Sequence, residues 1–319
     1  MDQFGRRLEP LLIKVIAADG VVAIAPLARA GRFFGLPIRR LFFIGSGPAD
    51  YGGFLCQANE GEAAAAMAAA LSEIKFDLLD LDQLSESTAA ALKTFLEPRY
   101  NTLTLAQEPT LVAGLPGTAD AYLSGLSKKF RTNTVYADRR LRRDFKYEQI
   151  LYENEADLKG GMEAFFRLHQ RRWLSKGLPG LFLGGRNRRF HQDLASRLAG
   201  TGRLVLSAAL VDDKPAAAFY GFRFNGVYSY YLGGFDPALA KFSVATVLIL
   251  DLIKEAIAGG ATKFDFLRGQ ESYKRRWGAS ETALYRLLAF PSTGRGRLAA
   301  LVAARHNALV QRVRAGLHR

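Results

Sequence analysis

The densest chemistry in this chain of 319 residues lies between Lys263 and Gly278. Lys263-Phe264-Asp265-Phe266-Leu267 alternates with the two-residue period of a strand. It runs through Arg268-Gly269 into Glu271, Tyr273, Lys274, Arg275, Arg276 and Trp277. An acid, a phenol, three cations and an indole thus crowd the exit of a buried strand, where sheets of the α/β kind often place reactive groups. Such a set can move protons and hold an anion. The same composition suits a solvated basic loop whose tryptophan closes a core. A second candidate is the start of the helix predicted over 243–258. Ser243 is a good N-cap, and Val244-Ala245-Thr246 are small or β-branched, leaving first-turn amides open to a pyrophosphate. An ordinary capped core helix begins the same way.

The elements that must position these groups occur twice in the same order. In the first half, apolar runs over 11–17 and 21–28 meet at Asp19-Gly20, a hairpin signal. A strand over 40–44, a helix over 60–74 and a strand opening Lys75-Phe76-Asp77 follow. In the second half, strands over 204–211 and 216–224 flank Asp212-Asp213, and Asn225-Gly226 turns into 227–232. The helix at Ser243 and the strand opening Lys263-Phe264-Asp265 complete the series. Ordered recurrence of this kind predicts two similar domains from a duplication. Between them, 102–112 reads as a strand, 119–131 as a helix and 139–143 as a basic connection. A strand over 145–152 opens the second half. Phe165, His169 and Trp173 then share one face of a helix over 158–173, and another helix spans 188–198. A strand over 284–290 and a basic amphipathic helix over 297–317 end the chain. The expected division is 1–105, a linker over 106–144, a second domain over 145–292, and a terminal helix over 293–319. The first half starts on a strand, so an initial strand and helix are expected to be missing from it.

Composition sets the bounds. Apolar residues make up 49% of the chain, enough for real cores. Cys56 is alone and the four histidines lack ligand spacing, so neither a disulfide framework nor a metal is expected. The start has no charged region followed by an apolar run, and no stretch is long enough to span a membrane. A reducing, cytoplasmic setting fits. The net charge of +14 is uneven: residues 291–319 hold six arginines and no acid, and 128–146 holds eight cations against two acids. Such fields attract CoA phosphates, nucleotide-linked substrates, tRNA or acidic lipid.

The chain, most clearly over residues 145–290, resembles the CelD-like acetyltransferase group of the GNAT superfamily. That group is associated with cellulose and exopolysaccharide synthesis and is related to the FemABX aminoacyl-tRNA-dependent transferases. The resemblance rests on Phe166-Arg167-Leu168-His169 with Arg172-Trp173, on the run from Tyr231 to Asp236, on Phe264-Asp265-Phe266-Leu267-Arg268-Gly269, and above all on Tyr273-Lys274-Arg275-Arg276-Trp277-Gly278. It implies an α/β (α+β) fold of tandem GNAT-like domains, each a mixed, mostly antiparallel sheet flanked by helices. It also implies an acyl-CoA, acetyl-CoA foremost, held at Gly233, Gly234, Ser243, Val244, Ala245 and Thr246. The family's phosphate loop is Gln/Arg-x-x-Gly-x-Gly/Ala, and Ala240-Lys241-Phe242-Ser243-Val244-Ala245 departs from it in its glycines. An aminoacyl-tRNA therefore stands as the alternative donor.

Under this resemblance Glu271 is the expected base and Tyr273 the acid for a leaving thiolate. Lys274 is the third catalytic candidate; it and Arg276 are expected on phosphate or carboxylate. Asp265 is either base or backbone anchor, and its apparent counterpart Asp77 favours the anchor. His169, Trp173, His191, Tyr231, Asp265, Arg268, Arg276 and Trp277 are the candidate acceptor residues, although core packing accounts better for His169 and Trp277. The first half is expected to bind no donor and to help wall the acceptor site. The expected acceptor is a small molecule or a lipid- or sugar-linked group, with the terminal helix either on an anionic membrane at its inner face or packed on the second domain. A non-catalytic docking module is the remaining alternative.

Overall fold

A computed structural model of the chain describes residues 8–17, 20–56 and 60–317; Asp19, and with it half of the expected Asp19-Gly20 turn, lies outside them. In chain order the elements are β1 (Glu9–Ala17), β2 (Gly20–Ala30), β3 (Arg40–Phe43), β4 (Leu55–Cys56), α1 (Glu60–Ser72), β5 (Leu78–Leu84), α2 (Glu86–Leu96), β6 (Asn101–Ala106) and β7 (Thr110–Gly114). The chain continues through α3 (Ala119–Gly125), α4 (Lys128–Asp144), β8 (Tyr147–Leu151), α5 (Glu155–Leu174), α6 (Gly185–Leu198), β9 (Leu204–Val211), β10 (Lys214–Phe224) and β11 (Val227–Phe235). A 3-10 turn (Pro237–Phe242), α7 (Val244–Ala258), β12 (Lys263–Arg268), α8 (Ser272–Arg276), β13 (Ser280–Thr282), β14 (Tyr285–Phe290) and α9 (Gly294–Leu317) follow.

Two units result, one of Met1–Thr110, Arg268–Gln270 and Thr282–Arg319, the other of Leu111–Leu267 and Glu271–Glu281. The first is built on a sheet ordered β1-β2-β3-β5-β14-β6, the second on one ordered β13-β7-β12-β11-β10-β9-β8. Both are mixed, and each contains a parallel pair: β3 with β5, and β11 with β12. Parallel neighbours need a crossover of a dozen residues or more; α1 supplies it in the first unit and α7 in the second. The expected recurrence is therefore present as topology.

It does not extend to the Lys-Phe-Asp triplets. Lys75-Phe76-Asp77 stands before β5, where the Asp77 carboxylate takes the backbone N–H of Arg39 at 2.8 Å and its guanidinium at 2.9 Å. Lys263-Phe264-Asp265 opens β12 itself. The position better matched between the strands is a left-handed residue near each end, Gln83 and Leu267.

Three other expectations change. Residues 102–112 break at Gln107-Glu108-Pro109, since proline has no N–H for a ladder, and the two pieces enter different sheets. The helix expected over 119–131 ends at Gly125, and Ser127 caps a new one by accepting the Phe130 N–H; Arg139–Arg143 lies within that helix, not in a connection. Finally β14, expected with the second domain, inserts between β5 and β6 of the first unit.

In the second unit α7 packs with α3 and α4 on one sheet face, burying Val247, Ile253, Phe219 and Phe264. The other face is closed by α5 and α6 through Phe165, Phe166, Phe182 and Tyr220.

Candidate functional site

The ladder between β11 and β12 runs only from Val227↔Lys263 to Ser229↔Asp265. Beyond Ser229, β11 continues to Phe235 with its β10 side paired and its β12 side open. At the same place β11 carries a bulge: Tyr220 faces Leu232, Gly221 faces Tyr230, and Tyr231 is the extra residue. Tyr230 keeps the α7-facing alternation of Tyr228, and past it the bulge sets both Tyr231 and Leu232 toward α5 and α6.

A cavity of about 220 Å³ opens where the strands part. Its walls are Ala217 to Phe219 of β10, Tyr230 and Gly233 to Phe235 of β11, the start of α7, and Tyr273, Arg276 and Trp277 of the α8 region. Arg172 and Phe130 complete it. All six residues expected to hold the donor, Gly233, Gly234, Ser243, Val244, Ala245 and Thr246, line this one cavity. Ser243 has φ +57°, and its side chain makes no cap hydrogen bond. The first amides of α7 have no partners within the helix, so they and the positive end of its dipole face the cavity uncapped.

The glycines of β11 are required by contact. A Cβ on Gly233 would meet the Tyr230 hydroxyl at 1.9 Å, and one on Gly234 would meet the His169 backbone N at 2.2 Å. Gly234 thus lets α5 lie against the strand. Gly233 leaves room for the Tyr230 hydroxyl, which shares a hydrogen bond with Tyr273. Both phenols are pushed above their ordinary value, chiefly by burial, with Glu271 adding to each and Arg172 opposing. They stay protonated at neutral pH. Among the described residues lining the cavity there is no carboxylate and no histidine, so Arg172, Arg276 and the helix end make it electropositive.

Glu271 and Lys274 pair with each other at 2.9 Å, with Lys274 buried, and neither lines the cavity. Asp265 is buried, and its Oδ1 accepts the Leu267 N–H at 2.7 Å, holding that residue's left-handed turn at φ +56°. Arg268 is turned onto Asp50 and the Gly47 carbonyl. Trp277 is buried with its ring edge-on to Phe130, and its carbonyl accepts the Tyr122 hydroxyl. The Arg276 guanidinium lies over Phe130.

His169, Trp173, His191 and Tyr231 form a separate group among α5, α6 and the opposite sheet face. Trp173 Nε1 donates to His169 Nε2 at 2.9 Å, and His191 meets Tyr220 and Phe182 edge to face and Tyr231 at a tilt. Burial, helped by Arg172 and His191, lowers His169 to about 3; burial alone lowers His191 to about 4. Sequence reasoning missed Tyr230 and gave Arg172 no role. Arg172 was legible as a cation one turn from His169, and Tyr230 as the residue two along from Tyr228 on the same strand face.

Residues 128–275 match the family model of the acetyltransferase (GNAT) domain. The structure is similar to FemX at 12% identity, covering 93% of this chain and 90% of that one with a TM-score of 0.67. It is also similar to a C-terminal domain assigned to a lysylphosphatidylglycerol synthetase from Agrobacterium fabrum, at 11% identity over 92% and 88% of the two chains, TM-score 0.58. A conserved protein of unknown function from Bacteroides thetaiotaomicron gives 11% identity, coverage of 89% and 86%, and a TM-score of 0.57. No curated protein sequence matches the chain. The match falls mainly on the second unit, and the chain has a GNAT-type fold. Among the described residues no helix is long and apolar enough to cross a membrane, and no cluster could hold a metal ion.

Proposed function

We propose that the second unit transfers an acyl group, acetyl foremost, from acyl-CoA to an amine or hydroxyl of a cell-envelope or polysaccharide-linked acceptor. The observation that carries this reading is the electropositive cavity between the parted ends of β11 and β12, with the uncapped start of α7 at its floor and the Tyr230–Tyr273 pair in its wall. The residues present fit CoA. Ser243 stands where the family's first loop glycine stands and adopts the left-handed conformation glycine favours, and Ala245 matches its last position. The loop therefore turns as a glycine loop does, and small first-turn side chains leave its amides open to a pyrophosphate. The open side of β11 offers backbone groups to an extended thioester arm. Bound CoA supplies an activated acyl carbon with a sulfur leaving group.

Transfer forms a C–N or C–O bond and breaks the C–S bond. Tyr273, kept protonated by burial, holds the proton that the departing sulfur takes. The proton released by the attacking amine or hydroxyl restores it. Backbone N–H groups at the parted strands suit the developing oxyanion. One fold neighbour's name, lysylphosphatidylglycerol synthetase, is that of an enzyme with a lipid product, in keeping with an envelope acceptor.

Calorimetric titration with CoA and acetyl-CoA tests the donor. Ala245→Glu is the informative variant: a carboxylate in the first turn favours the helix but repels a pyrophosphate. Saturable binding weakened tenfold or more in Ala245→Glu is expected. No CoA binding by a folded protein that instead binds aminoacyl-tRNA, with steep salt dependence, would replace this donor with the alternative one.

A further inference from the structure

Helix α9 of the first unit has two apolar faces, and the sheet uses one. On the inner face Ala299 and Ala303 are fully buried against Leu288, Leu78 and Ile38. The outer face carries Leu298, Leu301, Leu309 and Val313, between 47% and 61% exposed. These positions, with Arg305 and Arg312 between them, follow intervals of three, four and one and so form a single stripe. A surface helix that owed its apolar residues to folding alone would need only the inner face.

A second element extends the stripe. The loop between β2 and β3 holds Phe34 at φ +49°, a conformation unfavourable for a bulky residue. The residue is 58% exposed, and its ring stands 4.9 Å from that of His306 on α9. Leu36 and Arg32 beside it are also exposed. Leucines, a valine, a phenylalanine and arginines thus share one surface.

We infer that this face docks on an anionic phospholipid bilayer surface. The charge decides between occupants. Residues 291–319 contain six arginines and no acid. A second copy joined through the same stripe by a two-fold axis would bring two arginine-bearing faces together, with no carboxylate from either helix stretch over 291–319 to pair them. Anionic headgroups supply that charge, the leucines enter the acyl boundary, and the arginines reach outward along the interface. This surface belongs to the first unit and is independent of the reaction proposed for the second.

The test is flotation of the full chain with vesicles of phosphatidylcholine alone and of phosphatidylcholine with 30% phosphatidylglycerol (about physiological anionic content), at two salt concentrations. Binding to the anionic vesicles alone, reduced by salt, is expected. The double variant Leu301→Ser/Leu309→Ser should bind at least about tenfold more weakly, since two leucines leave the acyl boundary. Arg305→Gln/Arg312→Gln should lose about tenfold and the preference for anionic lipid. All four side chains are exposed, so an unchanged melting temperature certifies the fold. Absence of binding, or equal binding by the leucine variant, overturns the inference. A concentration-dependent dimer abolished by the leucine variant overturns it in favour of a second copy.

Discussion

Gly233 and Gly234 are neighbours on β11, and alanine at each should fail in a different way. A Cβ at position 234 would stand 2.2 Å from His169 N and 2.5 Å from Leu168 C. Carbon contacts settle near 3.5 Å, so roughly 1 Å of movement is required, and the obstacle is the backbone of the 20-residue helix α5. That helix anchors Phe165, Phe166 and Leu168 in the core, so it cannot move alone. Overpacking of this kind costs about 1–3 kcal/mol; with backbone as the obstacle the upper value applies, and the melting temperature falls by about 6–12 °C. At position 233 the obstacle is the tip of one side chain, the Tyr230 hydroxyl at 1.9 Å. Its displacement breaks the bond to Tyr273 and costs about 1 kcal/mol. Tyr230→Phe removes the same bond, so adding it to Gly233→Ala should cost little more, and the two losses should fall clearly short of additive. Urea and thermal unfolding followed by circular dichroism give all the values. Gly234→Ala within 0.5 kcal/mol (about the error of such comparisons) of the parent would refute the reasoning, as would fully additive losses from Gly233→Ala and Tyr230→Phe.

Four further outcomes are expected. Tyr273→Phe should lower acetyl transfer about 100-fold or more while CoA affinity in calorimetry stays within about threefold; equal activity would remove the phenol from the reaction. His169 and His191 have folded values near 3 and 4, below the ordinary imidazole value, so the unfolded chain binds protons first as pH falls. Stability should be complete above about pH 6.5 and decline toward those values, by about 1.4 kcal/mol per pH unit for each histidine; His191→Gln should flatten the slope measured by urea unfolding at pH 7, 6 and 5. Asp80 is fully buried between Arg40 and Arg286, which outweigh the burial and hold its carboxyl below the usual range. Asp80→Asn leaves the largely buried guanidiniums uncompensated and should cost about 3–5 kcal/mol in equilibrium unfolding at pH 7. Ser243→Gly should stabilise by about 0.5–1 kcal/mol, read as a higher urea midpoint, and retain CoA affinity.

What the sequence revealed, and what it hid, follows from how far each determinant acts. Alternation and turn residues act locally, so the hairpins, the crossover helices and the recurrence of strand order were legible. Strand partnership acts at a distance: Pro109 announces a break, but no nearby residue says that the two pieces join different sheets or that β14 joins the first. The Lys-Phe-Asp triplets show the opposite hazard, since identical local sequence fills two different structural positions, before β5 and within β12. Their aspartates nonetheless both anchor backbone, as Asp77 does for Arg39 and Asp265 for Leu267. At the site, first-turn composition led to residues that line one cavity, whereas Tyr230 owes its role to Tyr273, a partner far along the chain that nothing local announces. The loop before α7 carries the clearest lesson. A pattern search asks for glycine because glycine usually supplies a positive φ, yet Ser243 supplies φ +57° without it. The physical requirement is the backbone conformation, and Ser243 meets it at a cost in strain that a glycine would not pay.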